Sequence, residues 1–277
     1  MGTKRPRSAE EAAARSENPL PVYSPPRVIF SYDAELLERV ISKQLLPEAC
    51  VGLDIEWRPF HAPGAQENRV ALIQISSSKV CVLVPVRYVS IEALPSLQRL
   101  LRQESTWKVG CGIEGDAQKL RNDLGVECSP VLELGSAACM NLRYFPEMPR
   151  DESVRPGLKR MAGRLGMNLS KPKSVARSDW ERRPLTPEQQ RYASQDAYVG
   201  LWLALCLHQM SHQMAAGAAH GSGACAQVPE MWQWLSAQAA LLEQARGEAA
   251  MVAKKRRVEQ EDIQTLRHAC QEVQLES

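Results

Sequence analysis

Three strand-like runs, Cys50–Trp57, Val70–Ser76 and Val80–Val84, crowd together in the chain, and the last two are linked only by Ser76-Ser77-Ser78-Lys79. So short a link closes as a hairpin, which makes this part of a sheet antiparallel. Alternation follows. Pro95–Arg102 reads as helix, Trp107–Ile113 as strand, Gly115–Leu124 as helix stopped by Gly125, and Val131–Leu134 as strand, after which helices dominate. Ahead of the three runs, Arg27–Phe30 is a short strand. Ser31 or Asp33 then caps a helix whose apolar residues Leu36, Leu37, Val40, Ile41 and Leu45 recur at helical spacing. Strands first and helical crossovers afterwards predict an α/β fold, a mixed sheet flanked by helices.

The plainest helix start is Leu185-Thr186-Pro187-Glu188-Gln189: Thr186 caps, Pro187 takes the first helical position, and Gln189 completes a capping box. That helix is expected to run to about His212. The organisation predicted is a flexible arm over residues 1–26, one domain over 27–212, a linker over 213–228, and a helical C-terminal extension over 229–277, rich in Ala, Gln, Glu, Leu and Arg.

Hydrophobic residues at 44% and charged residues at 24% exclude wholesale disorder. The longest apolar stretch, within Tyr198–Leu207, is far shorter than the ~18 residues of a membrane span, so no membrane partner is expected. The eight cysteines include no C-x-x-C pair, and the start carries no apolar signal core; a reduced, intracellular protein is the expectation. Met1-Gly2 lacks the Ser or Thr that myristoylation wants at the sixth residue, where Pro6 stands. A net charge of +2 requires any basic surface to be local. Two local runs stand out, Lys4-Arg5-Pro6-Arg7 and Lys254-Lys255-Arg256-Arg257-Val258. Either suits nuclear import or phosphate contact, and either is equally an exposed charged stretch. The nucleus is the favoured compartment, and the tail is the expected place for any protein partner.

The chemistry lies in scattered acids. Asp54 and Glu56 interrupt an apolar strand, and alternation sets them on one face ~6.5–7 Å apart, a face that is ordinarily solvated. Asp116 falls in the first turn of a helix, where the dipole favours any acid. Tyr192 and Asp196, four apart, share a helix face. Each alone is unremarkable surface chemistry. Converging, the four carboxylates would repel and take up protons unless cations joined them. Magnesium and manganese prefer such oxygen ligands, and two ions ~3.5–4 Å apart stabilise both oxygens of an in-line phosphoryl displacement.

Gly-Leu-Asp54-Ile-Glu56-Trp57, Val-Gly-Cys-Gly-Ile-Glu-Gly-Asp116, Lys173-Ser-Val-Ala-Arg-Ser178-Asp-Trp180 and Tyr192-Ala-Ser-Gln-Asp196-Ala-Tyr resemble the motifs of the DEDDy 3′–5′ exonucleases, the family of RNase D and the Werner syndrome exonuclease domain. The resemblance covers roughly Arg27–Gln209. It implies an RNase H-like (DnaQ-like) fold and two Mg2+ or Mn2+ ions. Asp54, Glu56 and Asp196 would hold one ion, with Asp54 bridging to a second near Asp116. It also implies that Tyr192 positions or helps deprotonate the attacking water. The implied substrate is the 3′ end of DNA or RNA, DNA favoured, and the implied product a 5′-mononucleotide. Lys171, Lys173, Arg177 and Ser178 are candidate phosphate contacts, and Trp57 a candidate for stacking on the terminal base; a solvated loop and a core role are the plainer readings of these residues. Gln118 departs from the resemblance, which implies tryptophan there.

Two other function classes arise. Gly110-x-Gly112-x-x-Gly115, with Glu133 ~20 residues on, has the form of a dinucleotide-binding fingerprint. Asp116, however, follows the last glycine and would set a negative charge where a pyrophosphate must dock. A non-catalytic nucleic-acid-binding scaffold on the same fold is the other reading, and the complete set of acids argues against it. His208 and His212, spaced i, i+4 but without H-E-x-x-H, read as surface histidines near a helix end.

Overall fold

A computed structural model describes residues 21–59, 68–140 and 155–218. Residues 1–20 of the expected arm, the linker beyond Ala218, the 229–277 extension and both basic runs lie outside the described residues.

Local signals start and stop the elements. After β1 (Arg27–Phe30), Asp33 rather than Ser31 caps α1 (Ala34–Val40): its carboxylate accepts from the Glu35 and Leu36 N–H groups at 2.9 and 3.1 Å. A π-helical turn, Ile41–Leu45, continues α1. Strands β2 (Cys50–Glu56), β3 (Leu72–Ser76) and β4 (Val80–Val84) follow, then α2 (Pro95–Arg102) and β5 (Trp107–Gly110). The expected strand to Ile113 ends early because Gly112, at φ 79°, reverses the chain and lets α3 (Ile113–Leu124) begin at once. Gly125 terminates α3 in the left-handed conformation, as its position predicts. Then come β6 (Val131–Glu133), α4 (Leu134–Met140), α5 (Leu158–Arg164), α6 (Lys173–Ala176) and α7 (Pro187–Ala218). The capping box at α7 forms in both directions, Gln189 N–H to Thr186 Oγ1 at 3.1 Å and Thr186 N–H to Gln189 Oε1 at 2.9 Å. α7 continues six residues past His212, into the stretch expected as linker. Among the described residues no helix is long and apolar enough to cross a membrane.

The six strands form one mixed sheet in the order β1-β4-β3-β2-β5-β6. β3 pairs antiparallel with both β2 and β4, and every other pairing is parallel. All strands except β3 therefore end on the same edge. On one face Leu53, Ile55, Ile73, Ile75, Val82 and Val84 pack under α1, α2 and α3. On the other, Leu72, Cys81 and Leu83 meet Trp180, Leu185, Tyr192, Ala193 and Ala197 of α7 and the segment leading into it. β3 and β4 are buried at every position because both faces are covered.

Two expectations change. Residues 21–26 are not a free arm: the Trp202 indole donates to the Pro21 carbonyl at 2.8 Å, the Ser24 N–H donates to the Tyr198 hydroxyl at 3.0 Å, and the Tyr23 ring lies 5.1 Å from that of Tyr198. The aromatic side chains of α7 hold this segment. His208 is buried rather than exposed, because α7 is covered on that side as well.

The face of β2 that carries Gly52, Asp54 and Glu56 is covered by α7. At Gly52 the approach is closest: a Cβ there would stand 1.8 Å from the Ala197 carbonyl oxygen. Gly52→Ala must displace backbone and is expected to destabilise the domain by about 3 kcal/mol in urea unfolding. Gly115→Ala, with no atom within 4 Å of its added methyl, is expected to gain about 0.5 kcal/mol in the same measurement, since alanine is the better helix former.

Candidate active site

Because α7 lies against β2, Asp196 comes down on the two strand carboxylates. Oxygens of Asp54, Glu56 and Asp196 all lie within 4.8 Å of one another. The acidic face that strand alternation alone would leave to solvent is thus roofed by a helix, with Asp196 buried and the other two half-buried. Asp116, in the first turn of α3, stands outside that trio but close enough to raise the Asp54 carboxyl electrostatically. It is 9% exposed, and its buried Oδ2 has no hydrogen-bond partner.

Electrostatics at this point are adverse to bare carboxylates. Burial first, then the neighbouring Asp196 and Asp116, lift Asp54 well above the usual carboxylate range; burial, Asp54 and Asp196 do the same to Glu56. Asp116 is raised to about 7 by burial and by Glu133. Burial raises Asp196 too, against the opposing pull of Lys171 and of the Tyr192 hydroxyl that donates to it. Oxygen donors that are close, poorly solvated and short of positive charge suit a hard divalent cation.

Lys171 supplies part of the missing charge. Its Nζ lies 2.8 Å from Asp196 Oδ2 and 5.4 Å from the centre of the Tyr192 ring. Burial alone would lower its pKa, yet Asp196 raises it overall, so it remains an ammonium. Sequence reasoning assigned Lys171 to phosphate contact with Lys173, Arg177 and Ser178; the structure sets it apart, inside the acid cluster. Lys173 and Arg177 are exposed. The Ser178 hydroxyl accepts from Gln189 Nε2 at 2.9 Å and so ties the α6–α7 connection to the helix cap. Trp57 is half-buried against the α1–α3 core, with Lys119 Nζ 4.8 Å over its ring. Gln118 is exposed on α3 and donates to Asn122.

Tyr192 is raised above the ordinary phenol range, by burial first and then by Asp196. It is neutral at neutral and mildly alkaline pH. With its O–H donated to Asp196, its oxygen lone pairs are left to accept.

Glu133 resolves the Gly110-x-Gly112-x-x-Gly115 question. Its Oε2 accepts from the Gly112 and Ile113 N–H groups at 2.7 and 3.1 Å. The anion-attracting end of α3 is filled by the protein's own carboxylate, where a dinucleotide would need its pyrophosphate. Neither Glu133 nor Lys171 was legible in these roles, since each partner is distant in sequence. Gly52, two residues before Asp54 on the same strand face, was the one available sign that a helix crosses there.

A mixed six-stranded sheet with flanking helices and an acid cluster at the strand ends defines the RNase H-like exonuclease architecture. The 3′–5′ exonuclease family profile matches residues 28–211, and the chain belongs to that family. It is 35% identical over 210 residues to the mouse bifunctional 3′–5′ exonuclease/ATP-dependent helicase WRN, covering 73% of this chain and 14% of that protein. It is 35% identical over 153 residues to an Arabidopsis thaliana 3′–5′ exonuclease, covering 54% of this chain and 50% of that one. The chain thus spans half or less of these relatives. The fold is shared with Escherichia coli RNase D, an exoribonuclease involved in structured RNA processing, at a TM-score of 0.53 and 21% identity, over 78% of this chain and 50% of that one.

The raised carboxyls predict a pH dependence. A carboxyl with a folded pKa above its unfolded value binds extra protons in the folded state, so its stabilisation is complete below pH ~4 and is lost as pH rises toward about 7, the value for Asp116. In chelator, thermal unfolding of the wild type is expected to fall between pH 5 and 8 relative to Asp116→Asn. Magnesium or manganese is expected to raise the wild-type midpoint by several degrees at pH 8 and by less at pH 5. Differential scanning fluorimetry measures both.

Proposed function

We propose that this chain hydrolyses the terminal phosphodiester at the 3′ end of nucleic acid and releases a 5′-mononucleotide. The observation that carries this reading is the meeting of Asp54, Glu56 and Asp196 within 4.8 Å, in a chain of the 3′–5′ exonuclease family. Asp54, Glu56 and Asp196 would hold one Mg2+ or Mn2+, and Asp54 with Asp116 a second. Bound there, the ions would neutralise charge on the phosphate oxygens and make a water acidic enough to attack.

The protein's own groups do the positioning. Tyr192, neutral and with its O–H donated to Asp196, keeps lone pairs on its oxygen to accept from the attacking water, so it orients that water rather than deprotonating it. Lys171 steadies the carboxylate that Tyr192 also binds. Water adds to phosphorus and gives up a proton to solvent, the bond to the 3′ oxygen of the shortened strand breaks, and that oxygen takes a proton from solvent to become the new 3′ hydroxyl. The scissile group is common to DNA and RNA, and DNA is the expected preference.

Digestion of matched 5′-labelled DNA and RNA oligomers tests this directly. With magnesium or manganese, shortening from the 3′ end is expected, and chelator should stop it; inertness on every oligomer with both metals would overturn the reading. Asp54→Asn and Asp196→Asn are expected to lower kcat by about a thousandfold or more while oligomers still bind, because transition-state charge stabilisation is lost but phosphate contacts remain. Tyr192→Phe is expected to lower kcat by only about tenfold, the loss of an orienting hydrogen bond rather than of a base. Single-turnover rates separate the two.

A further inference from the structure

Away from the carboxylates, on the same sheet edge, an arginine packs against two tyrosines. Tyr32 follows the end of β1 and Tyr88 follows the end of β4, and both strands run parallel to β2. The Arg183 guanidinium carbon is 4.5 Å from the centre of the Tyr32 ring and 5.4 Å from that of Tyr88; the two rings meet edge to face at 5.7 Å. Residues 178–184 reach this point across the strand ends. Arg58, just past β2, lies 4.0 Å from both Asp179 and Glu181, and the Tyr88 hydroxyl donates to the Glu181 carbonyl. With strands ~4.8 Å apart, β4 ends about 10 Å from β2 and β1 about 14 Å from it.

The contrast between the two arginines is informative. Arg58 has two acids at ion-pair distance. Arg183 is exposed and, among the described residues, faces no carboxylate. Its guanidinium nevertheless sits in the corner formed by two rings at 82° to each other, which limits where the long side chain can swing. Tyr88, 43% exposed, offers a ring beside it. A planar cation with free N–H groups next to an open aromatic ring matches one ligand chemistry, a phosphate followed by a base.

Resting on the exonuclease reading, we infer that Tyr32, Tyr88 and Arg183 form a second contact for the substrate strand. The contact lies a few nucleotides on the 5′ side of the scissile bond, with Arg183 on a phosphate and Tyr88 against a base. It would grip any single strand, DNA or RNA, without reading sequence. It would act on long substrates only, because a dinucleotide at the carboxylates has no second phosphate on the 5′ side to carry across the ~10–14 Å to the ends of β4 and β1.

Steady-state kinetics on single-stranded oligomers of increasing length, with magnesium or manganese present, test the inference. For the wild type, KM is expected to drop once the oligomer is long enough to reach Arg183. In Arg183→Ala and Tyr88→Ala that drop should vanish, leaving KM for long oligomers roughly five- to tenfold higher, while kcat and KM for the shortest substrate stay at wild-type values. The slope of log kcat/KM against log salt should fall by about 0.7 in Arg183→Ala and be retained in Arg183→Lys, which keeps the charge but not the plane. An unchanged length dependence in the variants overturns the contact, as does an equal loss on short and long oligomers, the mark of a purely structural role. A wild type that degrades no oligomer overturns the exonuclease reading itself, a result distinct from either.

Discussion

Like charges in a poorly solvated place repel strongly, and at the end of β2 three carboxyl groups are held within 4.8 Å of one another. Lys171 and the Tyr192 hydroxyl offset only part of that repulsion. The arrangement is sustained by packing elsewhere: Leu53 and Ile55 anchor β2 to one core, and Ala193 and Ala197 anchor α7 to the other. Between them Gly52 removes the side chain that would keep helix and strand apart. The hydrophobic layers thus supply the work needed to crowd the acids, and the crowding makes a set of oxygen donors that suits a divalent cation.

The sheet's topology sets that crowded point within one long edge. With β3 alone reversed, the ends of β1, β4, β2, β5 and β6 open on one side. That edge carries Tyr32, Tyr88, Arg58, the strand acids and the start of α3 in succession. Glu133 closes it at the far side, its carboxylate capping α3 through Gly112 and Ile113 and thereby fixing the turn that presents Asp116. After burial, the nearby Glu133 is the second cause that raises the Asp116 carboxyl.

What was legible in the sequence was whatever local chemistry decides. The Ser76–Lys79 link, the cap at Asp33, the bounds of Pro95–Arg102, the stop at Gly125 and the Thr186–Gln189 box are each settled within a few residues. The acids and Tyr192 were legible as motifs, though not the distances between them. What was hidden depended on partners far along the chain: β1 joining β4, Lys171 reaching Asp196, Glu133 reaching Gly112. The strand stops at Gly110, short of the expected Ile113, because one left-handed glycine reverses the chain, and the helix runs on past His212 to Ala218.

The short segment from Pro21 to Ser24 lies against Tyr198 and Trp202, on the same helix that delivers Tyr192 and Asp196. A fragment trimmed to the first strand would strip that strap away and leave an indole N–H and a phenol without the acceptor and donor they now have. The loosened helix is the one whose seating against Gly52 sets the spacing of the acids. Where the polypeptide is cut for preparation is therefore a choice about catalysis as much as about solubility.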